Sequence, residues 1–264
     1  MPHGAAAEYA RTLLEGGKRV IDLSADFRLS SIERYQEFYG NPHPAAALLS
    51  ESILVIPELT KGKWRESQLI ACPGGYPTSV LIPLLTLVGM GIVNAAGIVV
   101  NSFSGVSGAG RKATEFYSFA ERSESAVAYS IPKHRHLSEI EEQLSERAGQ
   151  PVVIQFSPHL APMNRGIATT ITVPATKPDI EDLYDTWRDC FEHSTFVSIL
   201  PAGSFPDTAL LVGSNRIDIS ATYDSRTGNY VITSALDNLL KGAGGQAVQI
   251  MNLCYGFPET EGLI

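Results

Sequence analysis

Apolar residues recur along the chain in two alternating rhythms, one with the period of a helix and one with the period of a strand. Residues 5–14 read as a helix closed by Gly16-Gly17, and residues 19–23 as a strand. Residues 52–56 and 68–71 form two further short strand patterns, the second running into a turn-rich segment in which Pro77 suits the first turn of a helix. That helix continues through Leu81, Leu84 and Leu85 toward Gly89. Strands follow at 97–102, 152–156 and 167–173, and paired strands at 216–222 and 230–234 flank the turn 224–228. Ser138 with Glu141 three residues later has the form of a capping box, and Ile180, Leu183, Trp187 and Phe191 define an amphipathic helix. Residues from Asp237 onward carry the last helix. Strands interleaved with helices predict an α/β protein with a largely buried sheet.

Between Glu66 and Arg111 there is no charged residue, which invites a membrane reading. Pro83, Gly89, Gly91, Asn94 and Gly97 interrupt the stretch, and its best apolar piece, 80–93, is shorter than the ~20 residues a span needs. A buried helix followed by a buried strand fits better. The 264 residues carry 44% hydrophobic side chains and a formal charge of -8 with only 20 Lys and Arg, which argues against nucleic acid or an anionic membrane as the main partner. Three cysteines (Cys72, Cys190, Cys254) lack metal-ligand or disulfide spacing, and no basic-then-apolar leader opens the sequence, so a cytoplasmic protein is expected.

Three segments could carry chemistry. The loop Ser104-Gly-Val-Ser-Gly-Ala-Gly110, capped by Arg111 and Lys112, could cradle an anion on successive backbone N–H groups, or be a plain turn; it is not the ordered G-x-G-x-x-G of a dinucleotide fingerprint. His134-Arg135-His136 could supply an acid–base imidazole, with a metal set of His134, His136 and His159 as the rival and half-exposed surface histidines as the plain reading. Cys72, just before a helix N-terminus, is either an activated thiol or a small buried hydrophobe.

Six blocks, taken together, resemble one family. They are Ile21-Asp-Leu-Ser-Ala-Asp-Phe-Arg-Leu29, Pro73-Gly-Gly-Tyr-Pro-Thr78, Ser104-Gly-Val-Ser-Gly-Ala-Gly-Arg111, His134-Arg-His136 with Glu139-Ile140, Ser157-Pro-His-Leu160 with Pro162-Met163 and Arg165-Gly166, and Asp237-Asn-Leu-Leu-Lys-Gly-Ala-Gly-Gly-Gln246. In this order, and across essentially the whole chain, the sequence resembles N-acetyl-gamma-glutamyl-phosphate reductase of arginine biosynthesis, a relative of aspartate-semialdehyde dehydrogenase.

The resemblance implies an NADP-dependent enzyme in which a cysteine thiolate attacks an acyl phosphate, phosphate leaves, and the resulting thioester is reduced to a semialdehyde. It implies His134 as the acid–base residue and Ser104, Gly105, Ser107, Gly108 and Asn238 around the cofactor. Arg111 and Arg165 are implied for the substrate anion, and a homo-oligomer, dimer or tetramer, for the assembly. The implied architecture is an incomplete doubly wound nucleotide-binding domain (1–75), an α/β catalytic and oligomerisation domain with a mixed sheet (76–236), and a C-terminal helix returning to the nucleotide domain (237–264). Two departures accompany it. The family motif Asn-Pro-Gly-Cys-Tyr-Pro-Thr reads here Cys72-Pro73-Gly74-Gly75-Tyr76-Pro77-Thr78, so the nucleophile position is Gly75, with Cys72 a possible substitute three residues away, up to ~10 Å along an extended chain. The family's opening strand, Gly-rich turn and helix have no counterpart before Met1, so the sequence is expected to start partway through the cofactor domain. The alternative to a reductase is a non-catalytic family member acting as a binding or partner subunit.

Overall fold

Two sheets organise the computed structural model, which describes residues 4–110 and 114–263. The first is parallel and three-stranded: β1 (Val20–Asp22) and β2 (Ser52–Leu54) both pair with a central β3 (Leu69–Ala71). The second is mixed and seven-stranded, built from β4 (Val99–Ser104), β5 (Val127–Ala128), β6 (Gln155–Leu160), β7 (Ile167–Pro174), β8 (Val197–Ile199), β9 (Ile217–Asp224) and β10 (Asn229–Leu236) in the order β5-β6-β4-β7-β10-β9-β8. The α-helices are α1 (Ala5–Glu15), α2 (Ile32–Tyr39), α3 (Ala46–Leu49), α4 (Gly75–Gly89), α5 (Phe119–Arg122), α6 (His136–Ala148), α7 (Ile180–Phe191) and α8 (Gly245–Tyr255).

Local chemistry fixes these elements. The Asp26 carboxylate accepts the N–H groups of Gly4 and Ala7, caring for the donors that open α1, while Ala6, Ala7 and Ala10 form that helix's buried, small-residue face. Ser31 caps α2, Asp179 caps α7, and Gly40 ends α2 at φ 76°. Helix α4 is buried at every position from Tyr76 to Leu85, which explains its uncharged sequence. Its internal Pro83 cannot donate to Ser79, and the freed Ser79 carbonyl accepts the Ser234 hydroxyl at 2.7 Å instead. Trp187 on α7 donates its indole N–H to the Pro83 carbonyl, locking α7 to α4. These helices and α6 cover one face of the seven-stranded sheet, and β7, β10 and β9 run antiparallel through eight-residue registers. Helix α8 packs on the other sheet, where Ile250 meets Val55, Trp64, Ile70 and Cys72.

Three expectations need correction. Residues 152–154 are not strand, because the Val152 N–H goes to Ser145 Oγ and the Ile154 N–H to Glu141; both are thereby tied to α6, and the ladder starts at Gln155. Ser138 and Glu141 are not a capping box: α6 begins two residues earlier, Ser138 donates back to the Arg135 carbonyl, and Glu141 pairs with Arg34. The last helix likewise starts late, after an Asp237-capped turn and a π-helical turn at Leu240–Gly244. No described helix is long and apolar enough to cross a membrane.

Candidate active site around Gly75

The C-terminal end of β3 runs through Cys72-Pro73-Gly74 directly into α4, so Gly75 is the first residue of a 15-residue helix. Pro77 has no N–H and that of Gly74 goes to Glu139, so the first turn presents the N–H groups of Gly75 and Tyr76 and the positive end of the helix dipole, a setting that favours an anion or a thiolate at position 75. The loop is held from outside. Glu139 accepts the Gly74 N–H at 3.0 Å through Oε2 and the Arg28 guanidinium at 3.0 Å through Oε1, and Arg28 also donates to the Leu23 carbonyl. Glu139 is 1% exposed and Arg28 8%, so this is a buried ion pair, engaged at both Glu139 oxygens, with Arg28 Nε left without a partner. The His136 ring lies over the same loop: a Cβ placed on Gly74 would sit 2.7 Å from His136 Nε2 and 2.9 Å from an Arg28 nitrogen. Only glycine admits both groups so close.

Position 75 itself has a different surround. A Cβ there would meet the Ile167 δ-methyl at 2.8 Å and the Gly242 carbonyl oxygen at 3.4 Å. The tighter contact is the movable end of a side chain, so a small side chain at 75 is admitted by a rotation of Ile167. Gly242 presses its backbone on Gly75 from the π-helical turn, a position where its own Cβ would come within 3.2 Å of the Gly75 Cα.

Cys72 is not beside these groups. It is fully buried among Val55, Trp64, Ile70 and Ile250 beneath the parallel sheet, and burial pushes its thiol up to about 12. A thiol so placed is a core side chain, not an activated nucleophile. His134 is also enclosed, edge-on to Tyr76, Tyr129 and Phe156, and burial, helped by neighbouring Arg135, lowers it to about 4. Its Nδ1 accepts the His136 backbone N–H. The neutral His134 thus shapes the turn into α6, and His136 is the imidazole at the loop. His159 stacks on Phe103 at 4.6 Å, and no group of three His, Cys, Asp or Glu side chains among the described residues is placed to hold a metal ion.

The Ser104–Gly110 segment is brought to a second loop, 163–166. The N–H groups of Gly105, Val106 and Ser107 are taken by the carbonyls of Gly166, Met163 and Asn164, and that of Gly108 by Gly105. Those four donors therefore form no anion nest; the anion-cradle reading of this stretch gives way to a pinned turn. Asn238 joins the two loops, accepting the Gly166 N–H at 2.7 Å and donating to Ser107 Oγ at 3.0 Å. Gly108 packs against Ser104 Oγ and the Asn238 amide, so all five residues expected around the cofactor are neighbours. Arg165 is one-third exposed and held by Asp237 at 3.3 Å, and Asp237 also caps the turn after Asn238. Arg111 lies outside the described residues. Sequence reasoning named none of Arg28, Glu139, Ile167 or Gly242 as site residues. The signal for three of them was present, since Arg28, Glu139 and Gly242 stand within the blocks that carry the resemblance.

Known proteins resemble the chain over its length. The family model described as "Semialdehyde dehydrogenase, NAD binding domain" matches residues 1–67, and "Semialdehyde dehydrogenase, dimerisation domain" matches residues 75–238. The N-acetyl-gamma-glutamyl-phosphate reductase of Akkermansia muciniphila is 48% identical over 264 residues, covering 100% of this chain and 76% of that protein. The protein of the same name from Geotalea daltonii is 47% identical over 265 aligned positions, again covering 100% and 76%. Among solved structures, aspartate semialdehyde dehydrogenase II of Vibrio cholerae superposes with a TM-score of 0.71 at 18% identity, covering 95% of this chain and 76% of that one. The Candida albicans aspartate semialdehyde dehydrogenase with NADP gives 0.68 at 14% identity, covering 95% and 74%. The chain belongs to the N-acetyl-gamma-glutamyl-phosphate reductase family.

Proposed function

We propose that this chain carries the substrate and cofactor machinery for NADPH-dependent reduction of N-acetyl-gamma-glutamyl phosphate to N-acetyl-glutamate semialdehyde, in arginine biosynthesis, with the thiol position occupied by Gly75. The observation that carries the reading is the Gly74-Gly75 helix start, held by Glu139 and Arg28 and overlaid by His136. The match to the NAD binding domain and the likeness to a structure solved with NADP support NADP as cofactor. The residues present fit it: the carboxyl ends of β1 and β3 open toward the 72–75 loop, the usual dinucleotide crevice of a parallel sheet, and Ser104, Gly108 and Asn238 cluster beyond it. When bound, NADPH supplies the hydride. In this chain the α4 N-terminus stabilises negative charge at position 75, and His136 is the group that moves a proton beside the loop. Arg165, oriented by Asp237, takes a substrate anion. Arg111 is a second candidate for that anion. Residues 1–75 and 237–264 serve the nucleotide, and 76–236 the chemistry and assembly.

Gly75 favours one second reading, a subunit that binds the acyl phosphate without turning it over. Substrate identity is tested with Gly75→Cys, assayed in reverse by phosphate-dependent NADP reduction. N-acetyl-glutamate semialdehyde is expected to be used with kcat/KM at least ~10²-fold above aspartate semialdehyde, a gap that one well-read polar group can supply. Preference for aspartate semialdehyde would overturn the assignment.

The seven-stranded sheet has a second, uncovered face, on which Gln155, Asn101, Phe103, Thr170 and Thr172 are exposed or half-buried. An antiparallel-rich sheet with one bare face of mixed polarity suits self-association, and the match of residues 75–238 to a dimerisation domain supports it. We assign this face to a homodimer, in a cytoplasmic protein. Light scattering is expected to give twice the 28.5 kDa chain mass, and Phe103→Asp with Thr170→Arg the single mass; a monomeric unmodified chain at ~50 µM, well above the Kd of a stable dimer, would contradict the assignment.

A further inference from the structure

The space at position 75 lies between two parts of the chain that are far apart in sequence. One is α4, which begins there. The other is the π-helical turn Leu240–Gly244, whose Gly242 carbonyl oxygen would lie 3.4 Å, and Gly242 Cα 3.6 Å, from a Cβ at 75.

One side chain bonds to both parts. Gln246, in the first turn of α8, donates from Nε2 to the Lys241 carbonyl at 3.1 Å and to Thr78 Oγ1 at 3.2 Å. Thr78 donates its hydroxyl hydrogen to the Gly74 carbonyl at 2.9 Å, an oxygen that also takes the Thr78 backbone N–H. Chemistry fixes the direction of this relay. A carbonyl can only accept, so Nε2 is the amide atom turned to Lys241. The single Thr78 hydroxyl hydrogen is committed to Gly74, so that oxygen accepts from Gln246. Both side chains are fully buried. Gln246 also carries an unfavourable feature, since its Oε1 is buried with no hydrogen-bond partner among the described residues. An apolar side chain of similar length would avoid that unmet acceptor, and what it would lack is the pair of donors.

We infer that Gln246 and Thr78 are positioning residues for the reacting atom at position 75, setting the first turn of α4 against the Gly242 turn through the Gly74 and Lys241 carbonyls. The inference rests on the acyl-transfer role proposed for that position. The three atoms nearest a Cβ at 75 belong to Ile167 and Gly242, so Gln246 and Thr78 act through the backbone rather than on the reacting atom. The Thr78 backbone N–H still holds the helix start when the hydroxyl is removed. The expected fault is therefore misplacement, not unfolding.

The test uses the full chain carrying Gly75→Cys, to which Thr78→Val, Thr78→Ser or Gln246→Met is added. One readout is the pH profile of iodoacetamide alkylation of the introduced thiol, followed by peptide mass spectrometry. The other is kcat and KM for phosphate-dependent reduction of NADP by N-acetyl-glutamate semialdehyde, with Tm measured beside both. Thr78→Val and Gln246→Met are each expected to lower kcat at least ~10-fold with KM within ~3-fold, the signature of misplaced reacting atoms. Each is also expected to raise the alkylation midpoint by ~0.5 pH unit, as the Gly75 and Tyr76 N–H groups lose their fixed aim. Thr78→Ser keeps the relay and is expected to stay within ~3-fold of the parent in kcat. A lowered Tm with kcat, KM and alkylation midpoint unchanged in both broken variants would overturn the inference. A Thr78→Ser variant as impaired as Thr78→Val would do the same. If Gly75→Cys alone shows no turnover, the acyl-phosphate reading fails and the alkylation midpoints still decide: raised midpoints support the relay, and equal midpoints overturn it.

Discussion

Gly75→Cys is expected to turn over N-acetyl-glutamate semialdehyde, phosphate and NADP at least ~10³-fold faster than the unmodified chain, since losing a catalytic nucleophile alone can cost up to ~10⁶. The surroundings that would activate a thiol are already built: the start of a long buried helix, a loop pinned by Glu139, and the His136 ring beside it. The steric cost of the new Cβ falls on the Ile167 δ-methyl, which can rotate, rather than on the backbone of Gly242 at 3.4 Å. Gly75→Ser is the control. Its hydroxyl occupies the same place but ionises far less readily, and it is expected to stay at least ~10²-fold below Gly75→Cys. Equal rates for the cysteine variant and the unmodified chain would mean that the reaction does not depend on a thiol at this position.

The second large effect is on stability. Arg28→Met leaves the Glu139 carboxylate buried with the Gly74 N–H but without its cation. Removing one partner of a buried pair costs about 3–5 kcal/mol, and for a chain of this size that lowers Tm by on the order of 10 °C. The double replacement Arg28→Met with Glu139→Gln is expected to recover part of the loss, because no uncompensated charge remains and the amide can still accept from Gly74. Scanning calorimetry of the two variants beside the unmodified chain reads both quantities. A single-variant loss below ~1 kcal/mol, the level of an exposed pair, would show that Arg28 does not hold the loop.

What the sequence disclosed follows from how local each determinant is. The helices 5–15 and 180–191 and the hairpin around 224–228 are written in short-range periodicity, caps and turn residues, and they appear where the pattern puts them. The start of β6 was misread because Val152 and Ile154 have strand-forming side chains, while their N–H groups answer to Ser145 and Glu141 on a helix. At the site, the loop 72–78 and the paired histidines were legible as motifs. Which of His134 and His136 is enclosed and which lies over the loop was not, because that depends on Tyr76, Tyr129 and Phe156 closing over His134. Arg28 and Glu139 are 111 residues apart, and the apposition of Gly75 with Ile167 and Gly242 exists only once β7 and the last turn are in place. The same applies to Cys72, whose position before a helix suggested activation until its neighbours proved to be Ile70 and Ile250.

The central claim is that an otherwise competent acyl-transfer site is centred on position 75. Its most direct test is peptide mass spectrometry of Gly75→Cys after brief exposure to N-acetyl-gamma-glutamyl phosphate without NADPH. The account predicts one acyl group per chain, carried at position 75, with Cys72, Cys190 and Cys254 unmodified and no adduct on the unmodified chain. Acylation of Cys72, or an adduct on the unmodified chain, would contradict it.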